Sequence, residues 1–212
     1  MRTAILALAL CAASPALAGN NELSIGGTTR SLRTASANAV TSDNLGGVQL
    51  GVARHLDLDL VPSLQIWAAV GFANTSAEGE LFGMPTEIDA LDLTLGGTAR
   101  YVLHRNIAVM AHLDLGPSRT SLSIEGNSKT VSDSGWGVSA TGAVGVDLFL
   151  ITYPQFSLGA RIEVGYTTHS ATSLSPVEGA SHDMLVLPGA HASIGHLDLG
   201  GRFYAFSLLS QF

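Results

Sequence analysis

Cysteine is almost absent from this chain of 212 residues. The single cysteine, Cys11, lies in an apolar run that follows Arg2 and precedes the small-residue motif Ala16-Leu17-Ala18. That order of features predicts a secretory signal peptide over residues 1–18, which is cleaved on export. The exported chain, 19–212, is expected to form a single domain, and it contains no cysteine that could form a disulfide.

Basic residues are also scarce, and Lys129 is the only lysine. Without Arg2, the exported chain has 9 basic residues against 17 acidic ones, a formal net charge of −8. A chain with this charge is poorly suited to a polyanion, so no nucleic-acid partner is expected.

Charged residues of both signs are scarce, and the chain also lacks long hydrophobic runs. Charged residues make up 13% of the chain, against about 25% in soluble proteins. Hydrophobic residues reach 46%, yet no run beyond the predicted signal peptide approaches the ~18 residues of a membrane helix. An exported chain that is so apolar, but lacks a membrane helix, favours a closed β-barrel in an outer membrane.

Alternation with period two is the main pattern that the sequence does contain. From Ile107 to Leu115 every second residue is aliphatic, whereas the residues between them are small or polar. The sequence HLDL, which starts at His55, His112 and His196, repeats this arrangement. A membrane barrel needs aliphatic side chains towards lipid and small or polar ones towards the lumen, which makes leucine the outward residue of HLDL.

The alternating segments predict an all-β fold, an antiparallel up-and-down transmembrane barrel of eight strands. Short links alternate with long polar links, such as 31–43, 75–87, 117–135 and 167–183, as in barrels with short periplasmic turns and long outer loops. A ten-stranded barrel is the alternative, because 184–194 is also apolar; we interpret it as an extension of the last strand. The predicted strands are 22–31, 44–57, 63–74, 88–103, 107–116, 136–150, 156–167 and 194–210.

The chain ends in GGRFYAFSLLSQF, in which Tyr204, Phe206 and Leu208 alternate and Phe212 is the last residue. This ending resembles the C-terminal insertion signal of outer-membrane barrels, and the whole exported chain resembles small barrels of the OmpA/OmpX type. Ser210 departs from that pattern, which usually has an apolar residue there. The resemblance implies insertion by the barrel-assembly machinery and contact with outer-membrane lipid and lipopolysaccharide. A monomer is expected, because a closed barrel pairs its own strand edges and does not require a partner.

Ionisable residues on the predicted inward parity form the candidate site. The lumen of an eight-stranded barrel is only wide enough for its own side chains, so charges inside must pair. We therefore predict a salt-bridged plug, with no metal and no cofactor, rather than a wide pore. The predicted interior network consists of Asp92, Arg100, His112, Asp114, Asp147, Arg161, Glu163, His196, Asp198 and Arg202.

Four functions remain open from the sequence. The first is a structural or surface-interaction barrel with a largely plugged lumen, and the second is a narrow channel for small solutes. The third is a lipid-modifying enzyme that uses serine and histidine near the outer rim, where His169-Ser170, His182-Asp183 and His191-x-Ser193 lie. The fourth is a soluble calyx, which requires the aliphatic parity to point inward and Arg161 and Glu163 to face water.

Overall fold

The fold is described from a computed structural model. It describes residues 20–33, 35–41, 44–58, 61, 63–81, 83–126, 129–170, 172–174 and 195–212. The predicted signal peptide and the apolar segment 184–194 lie outside these residues.

Ten strands and one short helix make up the described chain. The bounds are β1 Asn21–Leu32, α1 Ala35–Val40, β2 Leu45–Leu56, β3 Leu64–Leu81, β4 Met84–His104, β5 Ile107–Gly126, β6 Lys129–Tyr153, β7 Phe156–His169, β8 Thr172–Leu174, β9 Gly195–Leu197 and β10 Gly201–Gln211. No helix among the described residues is long and apolar enough to span a membrane.

Eight of the strands close into an antiparallel barrel in the order β1-β10-β7-β6-β5-β4-β3-β2. The two ends of the described chain complete the ring, because Asn21 and Phe212 exchange backbone hydrogen bonds of 3.0 Å in both directions. The prediction of an all-β, eight-stranded up-and-down barrel is confirmed. The ten-stranded alternative is wrong for the described residues, since β8 and β9 pair only with each other in a separate sheet.

The predicted long loops over 75–87 and 117–135 are wrong. Strands β3 and β4 continue to a tight turn at Gly83 (φ 79°). Strand β5 continues to Gly126, and β6 already begins at Lys129. The reason is a reversal of polarity along each strand. In β4 the inward residues Ile88 and Ala90 are apolar, whereas nearer the other end the outward residues Leu93 and Leu95 are apolar.

The last predicted strand, 194–210, also needs correction. The barrel strand β10 begins at Gly201, and residues 195–197 form β9, which pairs with β8 in a separate two-stranded sheet. The predicted link 31–43 contains α1.

An apolar belt covers the outside of the barrel. Aliphatic side chains that a soluble protein would bury are exposed, with Leu113 at 70% and Leu95 at 67%. Exposed aromatic rings lie towards both ends of the belt, for example Trp136 and Tyr153. The aliphatic parity in the belt therefore points away from the barrel axis, as the interpretation of HLDL required for the repeats that start at His55 and His112. For the third repeat the interpretation is wrong, because Leu197 and Leu199 are buried in an apolar cluster at one end of the barrel.

A compact apolar cluster, which we call the cap, lies at the end of the barrel opposite the chain termini. Helix α1 and the β8–β9 pair fold over the mouth and pack against the inward residues of the long hairpins. The cap consists of Leu32, Ala37, Val40, Leu45, Ala77, Ile88, Ala90, Leu122, Leu174, Leu197 and Leu199, with Ile124 packed against it.

Candidate functional site: the polar interior

Four charged side chains form a closed ring of ion pairs across the lumen. Arg161 donates from Nε to Asp147 Oδ1 at 2.6 Å and from Nη2 to Glu22 Oε1 at 2.9 Å. Arg100 lies 2.7 Å from Asp147 Oδ2 through Nε and pairs with Glu22 Oε2 through Nη2. Each guanidinium contacts both carboxylates, so the two positive and two negative charges balance. We call these four residues the ionic ring.

The ionic ring joins four strands at the level of the apolar belt. Glu22 lies on β1, Arg100 on β4, Asp147 on β6 and Arg161 on β7. All four are almost fully buried, and Asp147 has no exposed surface. Ions buried to this degree are costly unless they are paired, and here each has two partners.

Aromatic rings flank the ionic ring. The guanidinium carbon of Arg100 lies 4.7 Å from the ring centroid of Trp67 and 5.9 Å from that of Phe149, within the range of cation–π contacts. Gln211 Nε2 also donates to Glu22 Oε2 at 3.0 Å. These side chains therefore contact the ionic ring from the end of the barrel that carries the short turns and the termini.

A histidine lies between two carboxylates nearer the middle of the barrel. His112 Nδ1 is 3.1 Å from Glu163 Oε1, and its Nε2 is 3.5 Å from Asp114 Oδ2. Gln49 Nε2 approaches Glu163 Oε2 at 3.4 Å and donates to Ser207 Oγ at 2.9 Å. The imidazole therefore lies between Asp114 of its own strand and Glu163 of β7.

A third cluster lies below the cap. Arg30 donates from Nη2 to Asp92 Oδ2 at 3.0 Å and from Nη1 to His169 Nε2 at 2.6 Å. Because Nε2 accepts, the proton of the neutral imidazole is on Nδ1, 3.1 Å from Ser118 Oγ. A ring nitrogen that carries a proton cannot take one from Ser118, so this geometry does not activate the serine as a nucleophile.

Of the other serine and histidine pairs proposed for lipid chemistry, only His169-Ser170 lies among the described residues, and there His169 is buried whereas Ser170 is exposed. Ser170 Oγ accepts a hydrogen bond from the backbone nitrogen of Val138, and its neighbour His169 points into the lumen. His182-Asp183 and His191-x-Ser193 lie outside the described residues. Within the described chain, no group of three or more His, Asp or Glu side chains could hold a metal ion.

Between the ionic ring and the Arg30 cluster lies a lumenal cavity of about 120 Å³. Its lining is mixed, with the polar residues Thr98, His112, Asp114, Arg161 and Glu163 beside apolar ones such as Phe72 and Phe203. At roughly 30 Å³ per molecule it has room for a few waters. The ionic ring bounds the cavity on one side, and the cap lies beyond the Arg30 cluster on the other.

The predicted interior residues divide into four groups, of which Arg202 forms the last. Seven are enclosed: Asp92, Arg100, His112, Asp114, Asp147, Arg161 and Glu163. Asp198 is half-buried after β9 and accepts from the backbone nitrogen of Gly200 at 2.8 Å. The side chain of His196 lies outside the described part of the chain.

The prediction that Arg202 lies in the interior is wrong. It is exposed, and it shares the outward parity of Tyr204, Phe206 and Leu208 in β10. The C-terminal alternation already implied this, because residues two apart in a strand point to the same face. Arg202 therefore cannot belong to the plug.

The predicted interior network lacked Glu22, Arg30 and Gln49, and it lacked His169, which the sequence analysis had placed at the outer rim instead. All four lie on the inward parity of their strands, so the alternation could have identified them. In β1, for instance, the outward aliphatic residues Leu23 and Ile25 place Glu22 and Arg30 inside.

Two glycines in β6, Gly135 and Gly137, allow the cap to pack closely against this strand. A Cβ added at Gly135 would collide with Thr172 Cγ2 of β8, and one at Gly137 would lie 2.5 Å from Ser170 Oγ. Because both glycines face inward, β8 lies directly on the strand backbone.

Replacing Gly135 by valine is expected to displace β8 and loosen the cap while the ionic ring stays intact. Amide hydrogens of β8 and β9 should then exchange at least about tenfold faster, since local opening becomes easier. Hydrogen exchange read by mass spectrometry measures this. Gly46→Val is the matched control, because no atom lies within 4 Å of its added Cβ; equal exchange in both variants would contradict this packing role.

The fold was compared with known proteins. No family model matches the chain, and no curated protein matches it. Among solved structures, the chain is similar to the attachment invasion locus protein Ail of Yersinia pestis, with 12% identity, a TM-score of 0.46, and coverage of 92% of this chain and 98% of Ail. It is similar to Neisserial surface protein A at 11% identity and a TM-score of 0.46, covering 93% and 100%.

A third similar structure is the outer membrane protease OmpT of Escherichia coli, at 9% identity and a TM-score of 0.48, covering 94% of this chain and 99% of OmpT. One of these three names describes attachment and another a protease. Likeness at this level is too distant to transfer a function to this chain.

Proposed function

We propose that this protein is an outer-membrane barrel with a plugged lumen and a structural or surface-interaction role. The observation that carries the proposal is the division of side chains between the two faces of each strand. Exposed aliphatic residues form the outer belt, whereas the charged residues at the same level, such as Arg161 and Asp147, are enclosed. This is the distribution that a bilayer requires, and it is the reverse of a soluble calyx.

Orientation follows from the asymmetry of the connections. The β4–β5 and β6–β7 turns are short and lie at the same end as Asn21 and Phe212. The long hairpins and the cap lie at the opposite end. We place the short turns in the periplasm and the hairpins outside the cell, which is the usual arrangement of such barrels.

The hairpins support a role at the cell surface. Strands β3 to β6 pair with one another beyond the last pairs of β2 and β7, and form a four-stranded sheet that projects above the belt. Its outer side is polar; Glu78 and Glu87, for example, are exposed and lie opposite each other. A projecting polar sheet on a membrane anchor is suited to contact with other molecules.

The biogenesis part of the proposal rests on β10. Tyr204, Phe206 and Leu208 are all more than half exposed on one face of the strand. Phe212 closes the ring by pairing with Asn21. An exposed alternating edge of this kind is what the barrel-assembly machinery would bind before closure. Outer-membrane lipid and lipopolysaccharide would surround the finished barrel, which needs no second copy because its edges are paired.

Cell fractionation tests the location. The proposal predicts recovery in the outer membrane and faster gel migration of unheated samples than of boiled ones, since a closed barrel stays compact in detergent. Recovery in the soluble periplasm without detergent would contradict it.

Planar bilayer recordings test the plug. The intact protein is expected to give no stable conductance steps, because the ionic ring and the cap both close the lumen. Replacing Gly135 by valine should leave the bilayer silent as well, since it affects only the cap. Regular conductance steps from the intact protein would favour the narrow channel instead.

A further inference from the structure

Arg202 is a cation on the outside of the barrel. It is exposed and makes no hydrogen bond or ion pair with any residue that the structure describes. In the strand register it lies directly between Ser31 of β1 and Tyr166 of β7. Directly opposed residues have Cβ atoms about 4.5–5.5 Å apart. One guanidinium and two hydroxyl groups therefore share a short row on the outward face.

Arg33 adds a second guanidinium. It follows β1 directly, two residues after Ser31, and is also exposed without a partner among the described residues. The next outward row towards the short turns contains Thr29, Tyr204 and Val164, where the apolar belt begins. The four polar residues therefore lie at the rim, the level at which lipid headgroups meet the barrel.

The charges on the outer surface are separated around the ring. No carboxylate lies on the outward face of β1, β10 or β7 within the described chain, so the two arginines have no acidic neighbour on these strands. Outward carboxylates instead gather on the β3–β4 hairpin, for example Glu78 and Glu87. In the strand order, β4 is the fourth neighbour from β10 in an eight-membered ring, which places it on the opposite side.

We propose that Arg202, Arg33, Ser31 and Tyr166 form a site for the phosphomonoester headgroup of a membrane lipid. This inference rests on the proposed membrane location. Two guanidinium groups can bind phosphate oxygens in bidentate fashion, and the two hydroxyl groups can donate to those that remain. A monoester brings up to two negative charges. A zwitterionic diester brings its own cation, which the arginines repel.

Native mass spectrometry of the folded protein released from detergent tests the site. The probes are phosphatidic acid, which is a phosphomonoester lipid, and phosphatidylcholine, which is zwitterionic. We expect phosphatidic acid to bind at least about tenfold more tightly, as one or two charge-assisted hydrogen bonds would give. The double variant Arg33→Ala/Arg202→Ala should lose that preference. Arg202→Lys should retain part of it, because it keeps the charge but not the bidentate geometry.

Arg105→Ala is the matched control, since it removes an exposed arginine from the β4–β5 turn at the other end of the barrel. It should change the preference less than twofold. Equal affinity of the intact protein for both lipids, or an equal loss in Arg105→Ala, would overturn the site. Displacement of phosphatidic acid by an equimolar amount of inorganic phosphate would overturn its assignment to lipid.

The proposed function and the site fail in different ways. A protein that stays in solution without detergent and does not enter vesicles would refute both. A protein that inserts and migrates as a compact barrel, yet shows no phosphomonoester preference, would refute the site alone. All three variants should keep the heat-dependent migration of the intact barrel, because the altered side chains are exposed.

Discussion

Replacing Arg161 by methionine is expected to lower the free energy of unfolding by about 3–5 kcal/mol, the cost of leaving a buried ion without its partner. Arg161 contacts both carboxylates of the ionic ring, and Asp147 is fully buried. Without it, Arg100 alone would face Asp147 and Glu22, and the ring would carry a net negative charge. Unfolding by urea in lipid vesicles, followed by tryptophan fluorescence, measures the change.

The matched control for Arg161→Met is Arg202→Met, which removes the same group from an exposed outward position. It should change the free energy of unfolding by less than about 0.5 kcal/mol, as is usual for surface substitutions. The double variant Arg161→Met/Asp147→Asn should recover part of the loss, because Arg100 and Glu22 then form a balanced pair. A loss in Arg161→Met no larger than in Arg202→Met would show that the ionic ring does not stabilise the barrel.

Replacing Leu113 by lysine should destabilise the inserted barrel by about 2–4 kcal/mol if this residue faces the middle of the bilayer. Leu113 is 70% exposed, so in a water-soluble protein the same substitution would cost little. Urea unfolding in vesicles again gives the value. Ser132→Lys is the control, because Ser132 is exposed on the β5–β6 hairpin that projects above the belt.

The two lysine variants should therefore differ, although both place a charge on an exposed position. Equal and small effects would mean that Leu113 faces water. Equal and large effects would mean that the belt extends over the hairpins.

The number of strands, and which side chains point outward, followed from the alternation. In β5, β6 and β7 every second residue across the belt is aliphatic or small. Only one pairing register keeps these residues on the outer face, because a slip by one residue would exchange the two faces of a strand. The pairs Arg161–Asp147 and His112–Glu163 follow from that parity only in part. It places both members of each pair inside, whereas the closed register brings Arg161 next to Asp147 and His112 near Glu163.

The hairpin lengths could not be predicted from the same rule. Above the belt the outer face of a strand meets water and its inner face packs into the cap, so the apolar parity changes sides near Asp92. A prediction that looks for apolar residues on one face of a strand therefore ends the strand where the apolar residues change faces. The cap was missed for a related reason, because α1 has six residues and β8 and β9 have three each, too short for any period to be recognised.

The most direct measurement is whether the outward side chains contact acyl chains. Single cysteines at Leu95, Leu113 and Val164, introduced into a Cys11→Ala chain and labelled with a fluorophore, would be quenched in vesicles by lipids brominated along the acyl chain. A label at Ser132 should instead be quenched by aqueous iodide. If iodide quenched all four labels and brominated lipid quenched none, the aliphatic face would lie in water and the protein would not be a membrane barrel.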